Sequence, residues 1–127
     1  MEFKEFKLNK DILKALEDIG FEKATAIQEE TLSNLLDQKT DLVGLAQTGT
    51  GKTAAFGIPI IQLTSNKSKN IECVILCPTR ELCLQITKDL SSYSEYIKDY
   101  KVLPIYGGSK IETQIRGLKK FPKVVVC

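Results

Sequence analysis

Eight residues decide how this chain is expected to fold: Ala46-Gln47-Thr48-Gly49-Thr50-Gly51-Lys52-Thr53. The apolar run 41–46 predicts a short strand before them, and the residues after them predict a helix. The two glycines allow positive φ and let backbone N–H groups approach phosphate oxygens. Lys52 would reach the β- and γ-phosphates, the Thr53 hydroxyl would ligate Mg²⁺, and the helix N-terminus would face the anion. The stretch therefore predicts a phosphate-binding loop.

The match to the general phosphate-loop pattern has one departure. Ala46 stands at the first position of G-x-x-x-x-G-K-[ST], where the pattern has glycine. An ordinary glycine-rich turn between a strand and a helix is the alternative interpretation of these residues.

Outward from this loop, helical and strand periodicities alternate along the chain. Strands are predicted over 41–46, 71–77, 101–106 and 124–127, and helices over 9–20, 26–37, from 54 onward, 80–97 and 110–119. Pro59 is expected to bend the third helix or to lie near its first turns. Apolar strands that alternate with helices predict an α/β fold with a parallel sheet of four strands, buried on both faces.

The composition is that of one soluble globular domain. The chain has 127 residues, 18 Lys and Arg against 16 Asp and Glu, and a net charge of +2. This near-neutral balance disfavours a fold that grips nucleic acid by bulk positive charge. The sequence contains no histidine, which excludes histidine-based triads, acid–base catalysis and metal sites.

Cysteines and hydropathy predict a cytoplasmic location with no membrane contact. Cys73 and Cys77 lie within one predicted strand, without the turn-like spacing of a zinc site, so the four cysteines are expected to be reduced and apolar in behaviour. No apolar run approaches the ~20 residues of a membrane span, and the first residues lack the apolar core of a signal peptide.

A second segment points to the base of a nucleotide. The run Phe21-Glu22-Lys23-Ala24-Thr25-Ala26-Ile27-Gln28 places a glutamine in the first turn of a predicted helix. A glutamine amide can both donate to and accept from adenine. A solvated helix residue is the alternative for Gln28.

Together with Phe3, this segment resembles the Q motif of DEAD-box ATP-dependent RNA helicases, which would occupy residues 3–30. The stretch 46–53 is similar to motif I of that family, Pro78-Thr79-Arg80-Glu81-Leu82 to motif Ia, and Gly107-Gly108 to its GG doublet. Ala24 stands where the family often has proline. The resemblance implies that residues 1–127 are the N-terminal portion of a first RecA-like domain, a truncated P-loop three-layer sandwich.

The resemblance also implies roles for single residues. Gln28 would read the adenine edge, Thr25 would support the nucleotide loop, and Phe3 would pack near the base, with a core contact as the alternative for Phe3. Lys52 and Thr53 would be catalytic, with Thr53 on Mg²⁺. The implied ATP-binding residues are Phe3, Thr25, Gln28, Ala46, Gln47, Thr48, Gly49, Thr50, Gly51, Lys52 and Thr53.

The implied RNA contacts are made to the sugar–phosphate backbone. They would come from the residues similar to motif Ia and to the GG doublet, which are Pro78, Thr79, Arg80, Gly107 and Gly108. The alternatives are a proline-terminated strand with surface ions for the first three residues and a simple turn for the two glycines.

Several parts of the family are expected beyond this sequence. They are the Thr-Pro-Gly-Arg and Asp-Glu-Ala-Asp segments and a second RecA-like domain, which would be a partner of this one. We therefore expect the chain to be inactive by itself. We also expect strand 41–46, without its neighbour, to expose an apolar edge, so that the chain is marginally stable or self-associates through it. The alternative functions are a P-loop ATPase acting on DNA or protein and a non-enzymatic nucleotide- or RNA-binding module.

Overall fold

The computed structural model describes residues 1–38 and 40–127. Within these ranges a short 3-10 helix, Phe3–Glu5, precedes five α-helices and three β-strands. The helices are Lys10–Asp18 (α1), Ala26–Asp37 (α2), Lys52–Thr64 (α3), Arg80–Tyr93 (α4) and Ile111–Leu118 (α5). The strands are Cys73–Ile75 (β1), Val102–Pro104 (β2) and Val124–Val126 (β3).

The first two helices begin where their capping residues predict. The Asn9 side chain accepts from the Asp11 N–H at 2.9 Å, which satisfies a free donor at the start of α1. Gly20, just after that helix, has φ of +79°. Thr25 and Gln28 form a reciprocal capping box at the start of α2.

The strands form a parallel sheet in the order β1-β3-β2. Val124 of the central strand pairs with Cys73 on one side and Val102 on the other. All three residues of β3 are buried, as expected for the middle of a parallel sheet.

Helices lie on both faces of the sheet, which gives the three layers that the sequence resemblance implies. Val124 and Val126 belong to the main hydrophobic core, together with Ile58 of α3 and Leu90 of α4. On the opposite face Leu103 packs closely against Gly117 of α5, where an added Cβ would lie 2.5 Å from the leucine. The α/β fold class is confirmed.

The prediction of a strand over 41–46 is wrong. These residues carry no strand pairing, and the side chains of Val43 and Leu45 are 89% and 90% exposed. A strand is stabilised by the neighbour to which it hydrogen-bonds, and among residues 1–38 and 40–127 no strand lies beside this run. The four-stranded sheet of the sequence analysis is therefore a three-stranded one.

The prediction that the strands are buried on both faces is also wrong for β1. Val74 is 59% exposed and Leu76, just after the strand, is 80% exposed. Cys73 and Ile75 pack against the main core, whereas α5 contacts β2 on the other face and leaves Val74 uncovered.

Two helices differ from expectation in their extent. Helix α4 ends at Tyr93 rather than near residue 97, and the turns that follow include Asp99 at φ of +60°. Pro59 lies inside α3, which begins at Lys52 and continues to Thr64. Across the described part of the chain, no helix is both long enough and apolar enough to cross a bilayer.

Candidate nucleotide and nucleic-acid site

The loop 46–53 turns back on itself before α3 begins. Gly51 is the N-cap of α3 and has φ of +81°, a left-handed conformation that favours glycine. The Thr50 hydroxyl donates to the Gln47 carbonyl at 2.8 Å. The Lys52 ammonium donates to the Ala46 carbonyl at 2.7 Å, so this charge is held inside the loop.

Gln28 is the residue that ties the start of α2 to this loop. Its side chain is buried, at 3% exposed. Its Oε1 accepts from the Thr25 N–H at 2.9 Å, and its Nε2 donates to the Gly51 carbonyl at 3.1 Å. Because one end needs an acceptor and the other a donor, the two contacts fix the orientation of the amide.

The same amide keeps capacity for a ligand. Nε2 carries two hydrogens and Oε1 has two lone pairs, and each atom uses one of them within the protein. One donor hydrogen and one acceptor lone pair thus remain, and an adenine edge requires one of each.

Thr25 joins the other side of the loop. Its hydroxyl donates to the Thr50 carbonyl at 3.0 Å while it caps α2. A Cβ at Gly51 would lie 2.3 Å from Gln28 Nε2, so the close approach of the two segments depends on glycine. The residues predicted for the two ends of a nucleotide are therefore in direct contact.

A cavity of about 380 Å³ opens beside this contact. Its lining comprises Gly20, Phe21, Glu22, Lys23, Thr25, Gln28 and Gly51. Phe3, which was expected near the base, is buried behind it at 3% exposed and packs on Phe21, with ring centroids 6.1 Å apart and planes 21° apart. Phe21 is the aromatic residue of the cavity wall.

Phe21 and Lys23 were not among the predicted site residues. Both lie in the segment that was quoted for Gln28. An aromatic residue and a cation so close to a predicted base-reading glutamine could have indicated them.

The loop residues that would face phosphates are accessible. Gln47, Thr48 and Gly49 are exposed, as is Lys52, and Thr53 is half-buried in the first turn of α3. The free N–H groups at this helix start are suited to an anion.

The motif at 78–80 lies at the end of β1 and opens α4. The Thr79 side chain accepts from the Leu82 N–H at 3.2 Å and so caps the helix. Pro78, Thr79 and Arg80 are all exposed. The segment thus presents a helix N-terminus and a guanidinium to solvent.

Arg80 brings this motif to the Gly107-Gly108 loop at the end of β2. Its guanidinium carbon lies 4.9 Å from the centre of the Tyr106 ring. Gly108 has φ of +88°, and a Cβ built on it would be 3.6 Å from Arg80 Nη1. The Gln114 side chain of α5 donates to the Tyr106 carbonyl at 3.1 Å and so ties the loop to α5.

Tyr106 was not among the predicted site residues. It directly precedes the two glycines, and an aromatic residue at that place next to a predicted RNA-contacting arginine is the signal that could have indicated it. Gly107 and Gly108 are both exposed.

The four cysteines are free thiols. Burial raises the pKa of the Cys73 thiol, and burial is also the main cause that raises the pKa of Cys83. A raised pKa keeps these sulfurs protonated and weakly nucleophilic.

Residues 25–127 match the sequence family described as DEAD/DEAH box helicase. The chain belongs to this family. It is 52% identical over 124 residues to the ATP-dependent RNA helicase CshA of Listeria monocytogenes, covering 98% of this chain and 24% of that protein. The chain spans about a quarter of the length of this relative.

Solved structures of DEAD-box proteins have the same fold. A DEAD box protein from the hyperthermophile Methanococcus jannaschii matches 99% of this chain and 34% of its own, with 42% identity and a TM-score of 0.87. The DEAD-box helicase Mss116, bound to ssRNA and UDP-BeF, matches 98% of this chain and 26% of its own, with 32% identity and a TM-score of 0.87. The RecA-like fold expected from the sequence motifs is therefore confirmed.

Proposed function

We propose that this DEAD-box chain is the ATP-binding and RNA-backbone-contacting part of an ATP-dependent RNA helicase that unwinds or remodels RNA duplexes. The observation that carries the proposal is the contact between Gln28 and Gly51, because it joins a base-reading amide to a phosphate-binding loop. The description of the Listeria relative as an ATP-dependent RNA helicase supports the same conclusion.

ATP would be held from its base to its phosphates along this contact. Gln28 offers a free donor and acceptor to the adenine edge, and Phe21 offers an aromatic face. The N–H groups of 47–53 would bind the phosphates, with Lys52 exchanging the Ala46 carbonyl for phosphate oxygens. Phe3 would act through Phe21, on which it packs.

Mg²⁺ fits the same loop in one respect. Thr53 offers a half-buried hydroxyl in the first turn of α3, next to Lys52, and a hydroxyl oxygen is a ligand that Mg²⁺ accepts. When bound, the ion would neutralise charge on the β- and γ-phosphates.

Hydrolysis requires more than this site supplies. Phosphoryl transfer needs a group that orients the attacking water and further stabilisation of the developing charge. No residue described in the site has the first role. We therefore propose that the 127-residue chain binds ATP without turning it over, and that a second RecA-like domain completes the machinery in a whole, cytoplasmic protein.

RNA would lie against the Arg80–Gly108 surface. The exposed guanidinium, the free N–H groups at the start of α4 and the glycine loop all suit phosphates rather than bases. Such contacts are tolerant of sequence, as expected for a protein that acts on many duplexes.

Nucleotide discrimination tests the proposal. Fluorescent ATP and GTP analogues are titrated into the chain and into Gln28→Ala, with Gln38→Ala as a control because Gln38 is an exposed glutamine at the end of the same helix. The unmodified chain should prefer ATP. Gln28→Ala should weaken ATP binding about five- to a hundredfold and change GTP binding far less.

Two results of that titration are decisive. Equal affinity of the unmodified chain for both nucleotides would contradict adenine recognition. A parallel loss of ATP and GTP binding in Gln28→Ala, with the melting temperature lowered, would show that Gln28 only supports the loop.

A further inference from the structure

A second cavity, of about 650 Å³, lies at the opposite edge of the sheet from the Arg80–Gly108 surface. Its walls come from the loops that precede the three strands and from the start of α1. Arg80 and Gly108 follow the carboxyl ends of β1 and β2, whereas this cavity lies at the amino ends of the strands. It therefore has no part in the site described above.

The lining of this amino-edge cavity is strongly basic. Two carboxylates, Asp11 and Asp99, face six lysines. The net charge of the whole chain is only +2, so positive charge is concentrated here. The lysines are Lys67, Lys69, Lys98, Lys101, Lys120 and Lys123.

Lys123 is the buried cation of the cavity, at 4% exposed. Its ammonium donates to Asn66 Oδ1 at 2.7 Å and to Glu72 Oε1 at 3.4 Å. Hydrogen bonds from Asn66, Ser68 and Lys123 hold the pKa of Glu72 below its usual range. An ammonium has three hydrogens, and in the described ranges two of them have acceptors.

The other five lysines have no carboxylate within 4 Å in the part of the chain that the structure describes. Lys101 donates to the Lys120 carbonyl at 3.3 Å, and Lys69 lies 5.5 Å from the centre of the Phe121 ring. Because lysines outnumber carboxylates in this lining, its net positive charge favours an anionic ligand.

Phe121 adds an aromatic surface to this charge. It is 54% exposed and has φ of +56°, a conformation that non-glycine residues adopt only at a cost. A base stacked on an exposed ring, with lysines on the adjoining phosphates, is the arrangement by which proteins hold single strands without reading sequence.

We propose that the amino-edge cavity is a second binding site for single-stranded RNA, with its lysines on the backbone phosphates and Phe121 stacked on a base. The choice of RNA over another polyanion rests on the proposed function. The site needs no nucleotide in the loop 46–53, so it would retain RNA through the stages in which ATP is absent.

Salt dependence tests the phosphate contacts. Binding of a labelled oligouridylate to the chain is followed by fluorescence anisotropy over a range of salt concentrations. Lys67→Ala/Lys98→Ala should lower the slope of log K against log salt by about 1.4, since each phosphate contact to a single strand contributes ~0.7. Lys7→Ala/Lys88→Ala makes the same charge change outside the cavity and should leave the slope unchanged.

Phe121 tests the stacking contact. Phe121→Ala should weaken binding at least fivefold, and Phe121→Tyr should restore it because the aromatic face remains. Circular dichroism of both variants checks folding, which should be intact because the side chain of Phe121 is half-exposed. A Phe121→Ala variant that folds and binds normally would overturn the proposal.

Crosslinking separates this site from the Arg80–Gly108 surface. Thiouridine-substituted RNA should crosslink to the peptide that contains Phe121 and should still do so in Arg80→Ala. In the unmodified chain, crosslinks at Phe121 with none at Tyr106 would count against the proposed function and leave this site standing. The absence of any crosslink at Phe121 would overturn this second site and leave the proposed function standing.

Competition identifies the ligand. Inorganic tripolyphosphate that displaces RNA at an equal concentration of charge would show a free-phosphate site and overturn the proposal. Binding of polyglutamate to the cavity lysines, with none of RNA, would assign the cavity to an acidic protein segment instead. An equal fall in slope for Lys7→Ala/Lys88→Ala would show unspecific attraction and would also overturn it.

Discussion

Gly51 and Gly108 occupy the same left-handed region of backbone space, but their surroundings differ. Gly51 has φ of +81°, and its missing Cβ would lie 2.3 Å from the buried amide of Gln28. Gly108 has φ of +88°, and its missing Cβ would lie 3.6 Å from the exposed guanidinium of Arg80. One glycine permits a close contact inside the protein, and the other permits an open turn at its surface.

This contrast indicates that the two proposed ligands would bind in different ways. On the nucleotide side, buried hydrogen bonds hold Gln28 in its binding orientation before any ligand arrives, which reduces the entropy lost on binding. On the RNA side, Arg80 lies over Tyr106 with its charge open to water. That arrangement suits a backbone whose position varies from one RNA to the next.

Gly51→Ala should have the largest effect. The new Cβ adds backbone strain of about 1–2 kcal/mol and forces Gln28 from its partners, which costs about 1–3 kcal/mol more. We therefore expect the free energy of unfolding to fall by about 2–5 kcal/mol and ATP binding to be lost. Urea denaturation and nucleotide titration measure the two effects.

Gly49→Ala is the matched control, because Gly49 has φ of +80° and a Cβ added there would have nothing within 4 Å. The free energy of unfolding of this variant should fall by about 1–2 kcal/mol, from backbone strain alone. Equal destabilisation by the two variants would mean that the Gln28 contact contributes nothing to stability.

Gly108→Ala should have an intermediate effect. Its φ of +88° imposes the same strain of about 1–2 kcal/mol, but the Cβ makes only an ordinary contact with Arg80. RNA affinity should fall severalfold as the loop shifts, and ATP affinity should not change. A loss of ATP binding as large as that in Gly51→Ala would show that the two glycine loops are not independent.

Arg80→Ala should have the smallest effect on stability, within about 0.5 kcal/mol, because the side chain is exposed. RNA binding should nevertheless weaken. Arg80→Lys should restore the charge but only part of the affinity, since lysine lacks the planar group that stacks on Tyr106. Denaturation and anisotropy on the same preparations separate the two properties. Full recovery with lysine would leave no role for stacking.

Local signals explain what the sequence could predict of the fold. Helices α1 and α2 begin where Asn9 and Thr25 predict, because a cap acts on N–H groups only two or three residues away. The strand expected over 41–46 is wrong for the opposite reason. Its stability depends on a partner that is distant in sequence, and apolar character alone does not supply one.

In the site, too, local signals were predictable from the sequence and contacts between distant residues were not. Gln28 was selected from its own neighbourhood, but its anchoring partner Gly51 is 23 residues away and only the structure joins them. Arg80 and Tyr106 are likewise joined only by the fold. The lysines of the amino-edge cavity range from residue 67 to residue 123 and have no shared motif. Their common position before predicted parallel strands is the signal that could have grouped them.

The uncovered run 41–46 leads directly into the loop that holds Lys52, whose ammonium is bound to the carbonyl of Ala46. Burial of Val43 and Leu45 against another surface would contribute about 1.5–3 kcal/mol of free energy for each side chain. It would also order the backbone just before that carbonyl. Covering this run and binding phosphate would then be reciprocally coupled equilibria, each changing the other by the same factor. The Ala46 carbonyl is the atom through which burial of Val43 and Leu45 would alter the binding of an anion by Lys52.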